Sequence, residues 1–285
     1  MKITVLGLGL MGAAVALRLK GQGLKVVGWN RSLQKSRELA NQGLATAGSA
    51  REAIEGSQVV VLMLSDAAAI LETLFAVETK DSIRGRVILQ MGTIAPDESR
   101  DLAKRVDAAG GEYLECPVLG SLPEARDGRL ILMAGGERTL FERCLPVLGA
   151  LGPAPRLIGD VGRGAALKLA MNQLIAGLTS SFSLSLGLVR AEGIEVEQFM
   201  ELLRGSALYA PTFDKKLANY LSHDYGKANF PLKHLLKDVR LFRNAQATGT
   251  DTAFIAAVEA ACVRASDRGY GDQDYSALYE AFAPK

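Results

Sequence analysis

Near its N-terminus the chain runs Lys2-Ile-Thr-Val-Leu6, then Gly7-Leu8-Gly9-Leu10-Met11-Gly12, then an apolar stretch through Leu17. A strand that turns sharply into a helix needs glycine at the tight point, where backbone must approach a ligand, and where helix packs on strand. The helix that follows presents unpaired N–H groups and the positive end of its dipole, which suits a phosphate. Any glycine-rich strand-helix connection could match the bare spacing. Placed directly after a strand at the head of a βαβ unit, it predicts that Gly7, Leu8, Gly9, Leu10, Met11 and Gly12 cradle a dinucleotide pyrophosphate. The same interruption by three glycines argues against a secretory leader, which Met1-Lys2 and the apolar run would otherwise suggest.

The second strand ends in Asn30-Arg31-Ser32. An NAD site commonly places a carboxylate near this point to accept from the ribose 2′-hydroxyl. A carboxylate would repel a 2′-phosphate, whereas a guanidinium pairs with it and an amide or hydroxyl adds a hydrogen bond. Asn30, Arg31 and Ser32 therefore predict NADP(H); the competing reading leaves Arg31 as a solvated loop residue.

Further β-rich runs alternate with helical stretches, the signature of parallel βαβ units. Strands are expected at Lys2–Leu6, Lys25–Trp29, Gln58–Leu64, Arg86–Gln90, Glu112–Glu115 and Arg129–Ala134, with a helix at Pro96–Ala109. Gln58–Leu64 is so apolar that both its faces must be covered. Gly135, Gly136, Gly149, Gly152, Pro153 and Pro155 punctuate the region near 135–160, where the alternation ends. From Gly164 the pattern is helical: one long apolar helix over Ala165–Arg190, then helices near 195–204, 231–248 and 251–268, separated by Gly205, Pro211 and Gly249. The expected architecture is an α/β Rossmann-like domain, residues 1–162, followed by an all-α domain, residues 163–285, joined by a long interdomain helix.

With 33 Lys+Arg against 31 Asp+Glu, the net charge of +2 gives no general attraction to nucleic acid or a membrane surface. Apolar segments are expected to be broken before the length of a membrane span, as at Lys168 and Arg190. Three cysteines, Cys116, Cys144 and Cys262, show no C-x-x-C spacing, so neither a disulfide framework nor a metal site is expected and a reducing cytoplasm fits.

On the long helix, Lys168 and Asn172 are four residues apart and share a face. A lysine on an apolar helix needs a partner or a task unless it snorkels to water from the helix start. Hydride addition to a carbonyl makes an alkoxide, and an ammonium can stabilise that charge and supply the proton. Lys168 is the candidate proton donor, with Asn172 holding the amine or the substrate hydroxyl. His223 and His234 stand apart from any nucleophile or ligand cluster and read as surface or packing residues. Cys116 reads as a small buried hydrophobe and Trp29 as packing at its strand end. Tyr209 or Tyr225 could line a pocket.

Taken in order, GLGLMG, Asn30-Arg31-Ser32, Cys116-Pro117-Val118-Leu119-Gly120-Ser121, Gly162–Asn172 and Lys237-Asp238 resemble the β-hydroxyacid dehydrogenase family, which includes 3-hydroxyisobutyrate dehydrogenase. Met63-Leu64-Ser65-Asp66, Phe230-Pro231-Leu232-Lys233-His234 and Gly269-x-Gly271-Asp272-x-Asp274 look most like its glyoxylate and succinic semialdehyde reductases. The resemblance implies that Lys168 is catalytic and Asn172 orients. It implies that backbone at Gly120 and Ser121 binds a substrate carboxylate, and that Thr93 lies between nicotinamide and substrate. Leu64, Ser65 and Lys237 would contact the cofactor, and Phe230 and Asp238 would close the pocket. It further implies a homodimer or homotetramer built through the helical domain. Leu119 stands where the family commonly has serine, which would remove one donor to the substrate. A 3-hydroxyisobutyrate or 3-hydroxybutyrate type dehydrogenase, an imine reductase and a non-catalytic NADP-binding module are the alternatives, and Lys168 counts against the last two.

Overall fold

The computed structural model describes residues 1–246 and 249–282, and it divides into two compact units, Met1–Leu169 and Ala170–Lys285. The division falls inside the long helix, a few residues past its start. Positions 247 and 248, the end of the helix expected over 231–248, and 283–285 lie outside the described residues.

The first unit runs β1 (Lys2–Leu6), α1 (Leu10–Gly21), β2 (Lys25–Trp29), α2 (Leu33–Ala40), β3 (Ala45–Thr46), α3 (Ala50–Glu55), β4 (Val59–Leu62), α4 (Ala67–Leu74), β5 (Val87–Gln90) and α5 (Pro96–Ala108). It continues through β6 (Glu112–Glu115), β7 (Val118–Leu119), α6 (Leu122–Asp127), β8 (Ile131–Gly135), α7 (Arg138–Leu151) and β9 (Arg156–Gly159) into α8 (Arg163–Ala191). The strand order is β3-β2-β1-β4-β5-β6-β8-β7, with β9 paired to β8. Pairing is parallel from β3 to β6, as the alternation predicts.

Side chains alternate between two cores. Val59 and Val61 of β4 join Val15 and Leu19 of α1 and Phe141 and Leu148 of α7. Val60 and Leu62 point the other way, among Ile54, Ile70, Leu102 and Val106. This two-sided burial is why β4 carries no polar residue.

Beyond β6 the sequence reading needs correction, because β6 and β7 both pair antiparallel to β8. Only Cys116 and Pro117 separate β6 from β7, so the two run on in one direction along β8, and proline withholds the N–H an unbroken ladder would use. The alternation does not end near 135–160; it continues there through α7 and β9. Pro146 inside α7 costs a hydrogen bond, but Leu140, Phe141, Cys144, Val147, Leu148 and Leu151 recur at helical spacing and are all buried.

The second unit comprises the rest of α8, then α9 (Val196–Arg204), α10 (Pro211–Ser222), α11 (Leu232–Asn244) and α12 (Ala253–Ala265), closed by a short 3-10 turn at Tyr275–Ala281. Pro211, expected only as a separator between helices, is instead the first residue of α10; proline suits a first helical turn because no N–H is needed there. Two cores serve this unit. Phe182 and Leu186 of α8 pack with Met200, Phe213, Tyr220 and Tyr279, and Ala176 packs with α11 and α12.

The expectation about apolar segments also needs correction: α8 is long and apolar enough, by length and composition, to cross a membrane. Its hydroxyls do not break it, because Ser180 and Ser183 donate to the carbonyls of Ala176 and Thr179 one turn back.

Candidate active site

The glycine turn is fixed from both sides of the sheet. Gly7 has φ 95°, its N–H donates to the Trp29 carbonyl at 2.9 Å, and a Cβ there would lie 2.4 Å from the Met63 carbonyl oxygen. At Gly12 a Cβ would come within 1.8 Å of the Gly7 carbonyl oxygen, so α1 meets β1 only through glycine. Gly9 differs: nothing lies within 4 Å of the position its Cβ would take. No side chain caps α1 at Gly9 either. Open space before an uncapped helix N-terminus fits a pyrophosphate, whose charge the first amides of α1 would receive.

Asn30 does something the sequence did not reveal. Its Oδ1 accepts from Leu8 N–H at 2.9 Å, so the side chain braces the glycine turn itself. Arg31 and Ser32 are exposed, and the Arg31 guanidinium lies 3.6 Å from Glu72 on α4. Ser65 donates to Asp66, which in turn caps α4 by accepting from Ala69 N–H. The buried Gln90 amide both donates to and accepts from Gly92 backbone, and a Cβ on Gly92 would lie 2.8 Å from the Leu64 carbonyl oxygen. Leu64 and Gly92-Thr93 are therefore brought together beyond the carboxyl ends of β4 and β5, where open α/β sheets take their ligands.

The substrate-loop residues divide. Leu119 pairs with Ile131 in the β7–β8 ladder, and Gly120 turns the chain at φ 140°. The Ser121 amide and hydroxyl both donate to Glu124 Oε2, at 2.7 and 2.5 Å, capping α6. In this conformation that amide serves the helix, and donation to a carboxylate would require the cap to open.

Lys168 on α8 is buried at 7% exposure. The helix bearing it starts against Glu115, the last residue of β6, whose Oε1 accepts from the amides of Gly162, Gly164 and Ala165. Sequence reading placed Glu115 only as a strand residue. Its one signal was an acid at the end of an otherwise buried strand.

In the second unit Asn172, 2% exposed, donates through Nδ2 to Asp238 Oδ2 at 2.6 Å, and Lys237 Nζ lies 2.8 Å from Asp238 Oδ1. Asn172, Lys237 and Asp238 thus form one polar chain, and Asp238 sets which way the Asn172 amide faces. Phe230 rests on the Tyr275 ring. Tyr209 and Tyr225 spend their hydroxyls on Asp214 and Glu280. His223 lies beside Glu280 at the surface, and burial, with Lys237 and Lys233 nearby, holds His234 below the ordinary histidine range. The Gly269-x-Gly271-Asp272-x-Asp274 segment is structural in its acids: fully buried Asp274 pairs with buried Lys216 at 2.7 Å, and Asp272 pairs with Lys233. Cys116, Cys144 and Cys262 are all free and buried, and burial pushes the Cys116 thiol far up.

A doubly covered, mostly parallel sheet with an open glycine turn, followed by a helical unit, is the Rossmann-type frame that receives dinucleotides. Residues 2–160 match the NAD binding domain of 6-phosphogluconate dehydrogenase, and residues 162–282 match the NAD-binding domain of NADP-dependent 3-hydroxyisobutyrate dehydrogenase. The chain is 34% identical over 287 residues to glyoxylate/succinic semialdehyde reductase 1 of Arabidopsis thaliana, covering 99% of this chain and 98% of that one. The crystal structure of 3-hydroxyisobutyrate dehydrogenase from Salmonella typhimurium superposes with a TM-score of 0.87 at 25% identity, covering 99% of this chain and 100% of that one. An imine reductase from Myxococcus stipitatus in complex with NADP+ superposes less well, with a TM-score of 0.69 at 24% identity over 98% of this chain and 99% of that one. The chain belongs to the β-hydroxyacid dehydrogenase family. It is an oxidoreductase that binds a nicotinamide dinucleotide, NAD(P)(H).

Proposed function

We propose that the enzyme reduces a small carboxylate-bearing aldehyde or 2-oxo acid, succinic semialdehyde or glyoxylate, to the hydroxy acid, with Lys168 as proton donor. The observation that carries this is a lysine with 7% exposure on a largely apolar helix, one turn before a buried Asn172, in a chain so similar to a glyoxylate/succinic semialdehyde reductase. NADPH supplies the hydride. Lys168 holds a proton for the carbonyl oxygen, and its positive charge stabilises the alkoxide as it forms. Asn172, held by Asp238, orients donor or substrate. Gly120 backbone receives the substrate carboxylate, with Ser121 joining when its Glu124 cap opens. Of the remaining residues, Thr93, Leu64 and Ser65 of the first unit are assigned to the cofactor; in the second unit Lys237 is assigned to the cofactor and Phe230 to the substrate.

A 3-hydroxyisobutyrate type dehydrogenase is the second reading, favoured by the match of residues 162–282. For net oxidation Lys168 must give up its proton near neutral pH, well below the ordinary lysine value of about 10.4. A spectrophotometric screen of NADPH oxidation against glyoxylate, succinic semialdehyde and methylmalonate semialdehyde separates the two. The expected outcome is turnover of the first two. Lys168→Ala should lower that rate by about 10²- to 10⁴-fold while NADPH affinity holds. Wild-type turnover by Lys168→Ala would remove the assigned role.

We also infer a homodimer or homotetramer. Leu174, Leu178, Leu184 and Leu188 recur at helical spacing on α8, and Leu184 and Leu188 are 58% and 65% exposed, a stripe that a second copy would cover. The balanced charge supports a small-molecule substrate over nucleic acid. The packing of α8 within its unit's core supports a core helix over a membrane span. Three buried thiols support a cytoplasmic setting.

A further inference from the structure

Glu115 is an expensive residue to bury. At 1% exposure, desolvation pushes its carboxyl above the ordinary range, against the pull of Ser99 and the helix amides. An ordinary helix cap satisfies one amide with a short side chain. Here a single oxygen, Glu115 Oε1, accepts from Gly162, Gly164 and Ala165 N–H at 2.8, 2.8 and 3.2 Å. The other oxygen accepts from Ser99 Oγ on α5, and Ser99 lies 2.8 Å from the buried Tyr113 hydroxyl. Since Ser99 has one proton and gives it to Glu115, Tyr113 donates to Ser99, and the carboxylate is held at both ends.

Space for this arrangement comes from glycine. A Cβ on Gly135 would lie 2.3 Å from Glu115 Oε1; one on Gly164 would lie 3.1 Å from it and 2.3 Å from the Met133 carbonyl oxygen. Gly162 enters α8 at φ 97°, a conformation that side chains with a Cβ resist. Glu115, Gly135, Gly162 and Gly164, scattered over three stretches of chain, meet at one point.

We propose that Glu115 is a positioning residue for Lys168: by clamping three amides of the first turn of α8 to the end of β6, it sets the height and rotation of the helix that carries the proton donor. Lys168 follows Ala165 by three residues, about 4.5 Å along the axis. A helix transmits its anchored turn rigidly over that distance. The inference rests on the assignment of Lys168 as donor.

The test uses the full-length enzyme with NADPH and succinic semialdehyde, comparing Glu115→Ala, Glu115→Gln, Ser99→Ala, Lys168→Ala and the Glu115→Ala/Lys168→Ala double variant. Glu115→Ala should lose about 10- to 100-fold in kcat, the scale of a slight misplacement of a catalytic group. Its KM for NADPH should change less than twofold, because the glycine turn lies on other strands. Amide exchange at Gly164 and Ala165 should quicken. Glu115→Gln, which keeps an oxygen acceptor, should recover part of kcat. The double variant should be no slower than Lys168→Ala, since Glu115 acts only through Lys168.

Wild-type kcat in Glu115→Ala, while Lys168→Ala is inactive, overturns the positioning role alone. So does a double variant slower than Lys168→Ala by the full Glu115→Ala factor. Activity retained by Lys168→Ala overturns the donor assignment, and the positioning role with it. Should Glu115→Ala not fold, Glu115→Gln and Ser99→Ala carry the same comparison, and wild-type kcat in both overturns the proposal.

Discussion

Arg31 and Glu72 face each other at 3.6 Å with 86% and 70% of their side chains exposed. Such a pair contributes little to stability, because water screens it and both side chains lose freedom in making it. Its consequence is for the proposed role of Arg31: with a 2′-phosphate on that guanidinium, Glu72 would compete for it. Glu72→Gln should therefore tighten NADPH by roughly two- to fivefold and leave NADH unchanged, as an exposed pair of this kind allows. Arg31→Asp should do the reverse, weakening NADPH by at least about tenfold and NADH far less. Fluorescence titration of both nucleotides measures the difference; an equal shift for both would place Arg31 away from the phosphate. Nothing in the sequence linked position 31 to position 72, because the contact forms only when α4 folds back beside the end of β2.

At the scale of elements, the glycine turn separates two requirements that the sequence writes with the same letter. Gly12 is demanded by the protein, since its Cβ would strike the Gly7 carbonyl oxygen at 1.8 Å. Gly9 has open space in front of it, so the fold makes no such demand there and the proposed pyrophosphate would supply it. Gly12→Ala should lower thermal stability by several °C, corresponding to about 1–3 kcal/mol of forced displacement. Gly9→Ala should melt like wild type yet bind NADPH at least about tenfold more weakly, through methyl contact with the pyrophosphate. Thermal melts and nucleotide titration on the same two proteins check both halves. A destabilised Gly9→Ala would mean that the turn itself needs that glycine. The elements between 135 and 160 show where local reading fails: Gly149 looks like a break, yet the buried face of α7 carries the helix through it and through Pro146.

For the whole molecule, α8 sets the consequence. One side of it packs into the second unit's core, while Leu184 and Leu188 remain exposed. Leu184→Asp should lower the assembly state, seen by light scattering after gel filtration, without loss of helical circular dichroism. Unchanged mass would show that this stripe is not the interface. Burying the Lys216–Asp274 pair ties α10 to the closing turn of the same unit, a cost offset because Asp274 also accepts from the amides of Asn229 and Ser276 and from the Ser276 hydroxyl.

Elements whose causes are local are legible in the order of residues. The glycine spacing after β1, the uniformly apolar β4 and the uninterrupted pattern of α8 dictate their conformations through backbone freedom and periodicity, which need no distant partner. The same order places Lys168 and Asn172 on one face, since helical spacing is arithmetic. Whatever depends on residues meeting at a distance appears only once the chain has folded. Asn30 bracing Leu8, Ser121 committed to Glu124, Asp238 holding Asn172 and Glu115 gathering the amides of Gly162, Gly164 and Ala165 are all of this kind. A carboxylate's role follows from the donors around it, and donors 47 to 50 residues away become neighbours only when the sheet has formed.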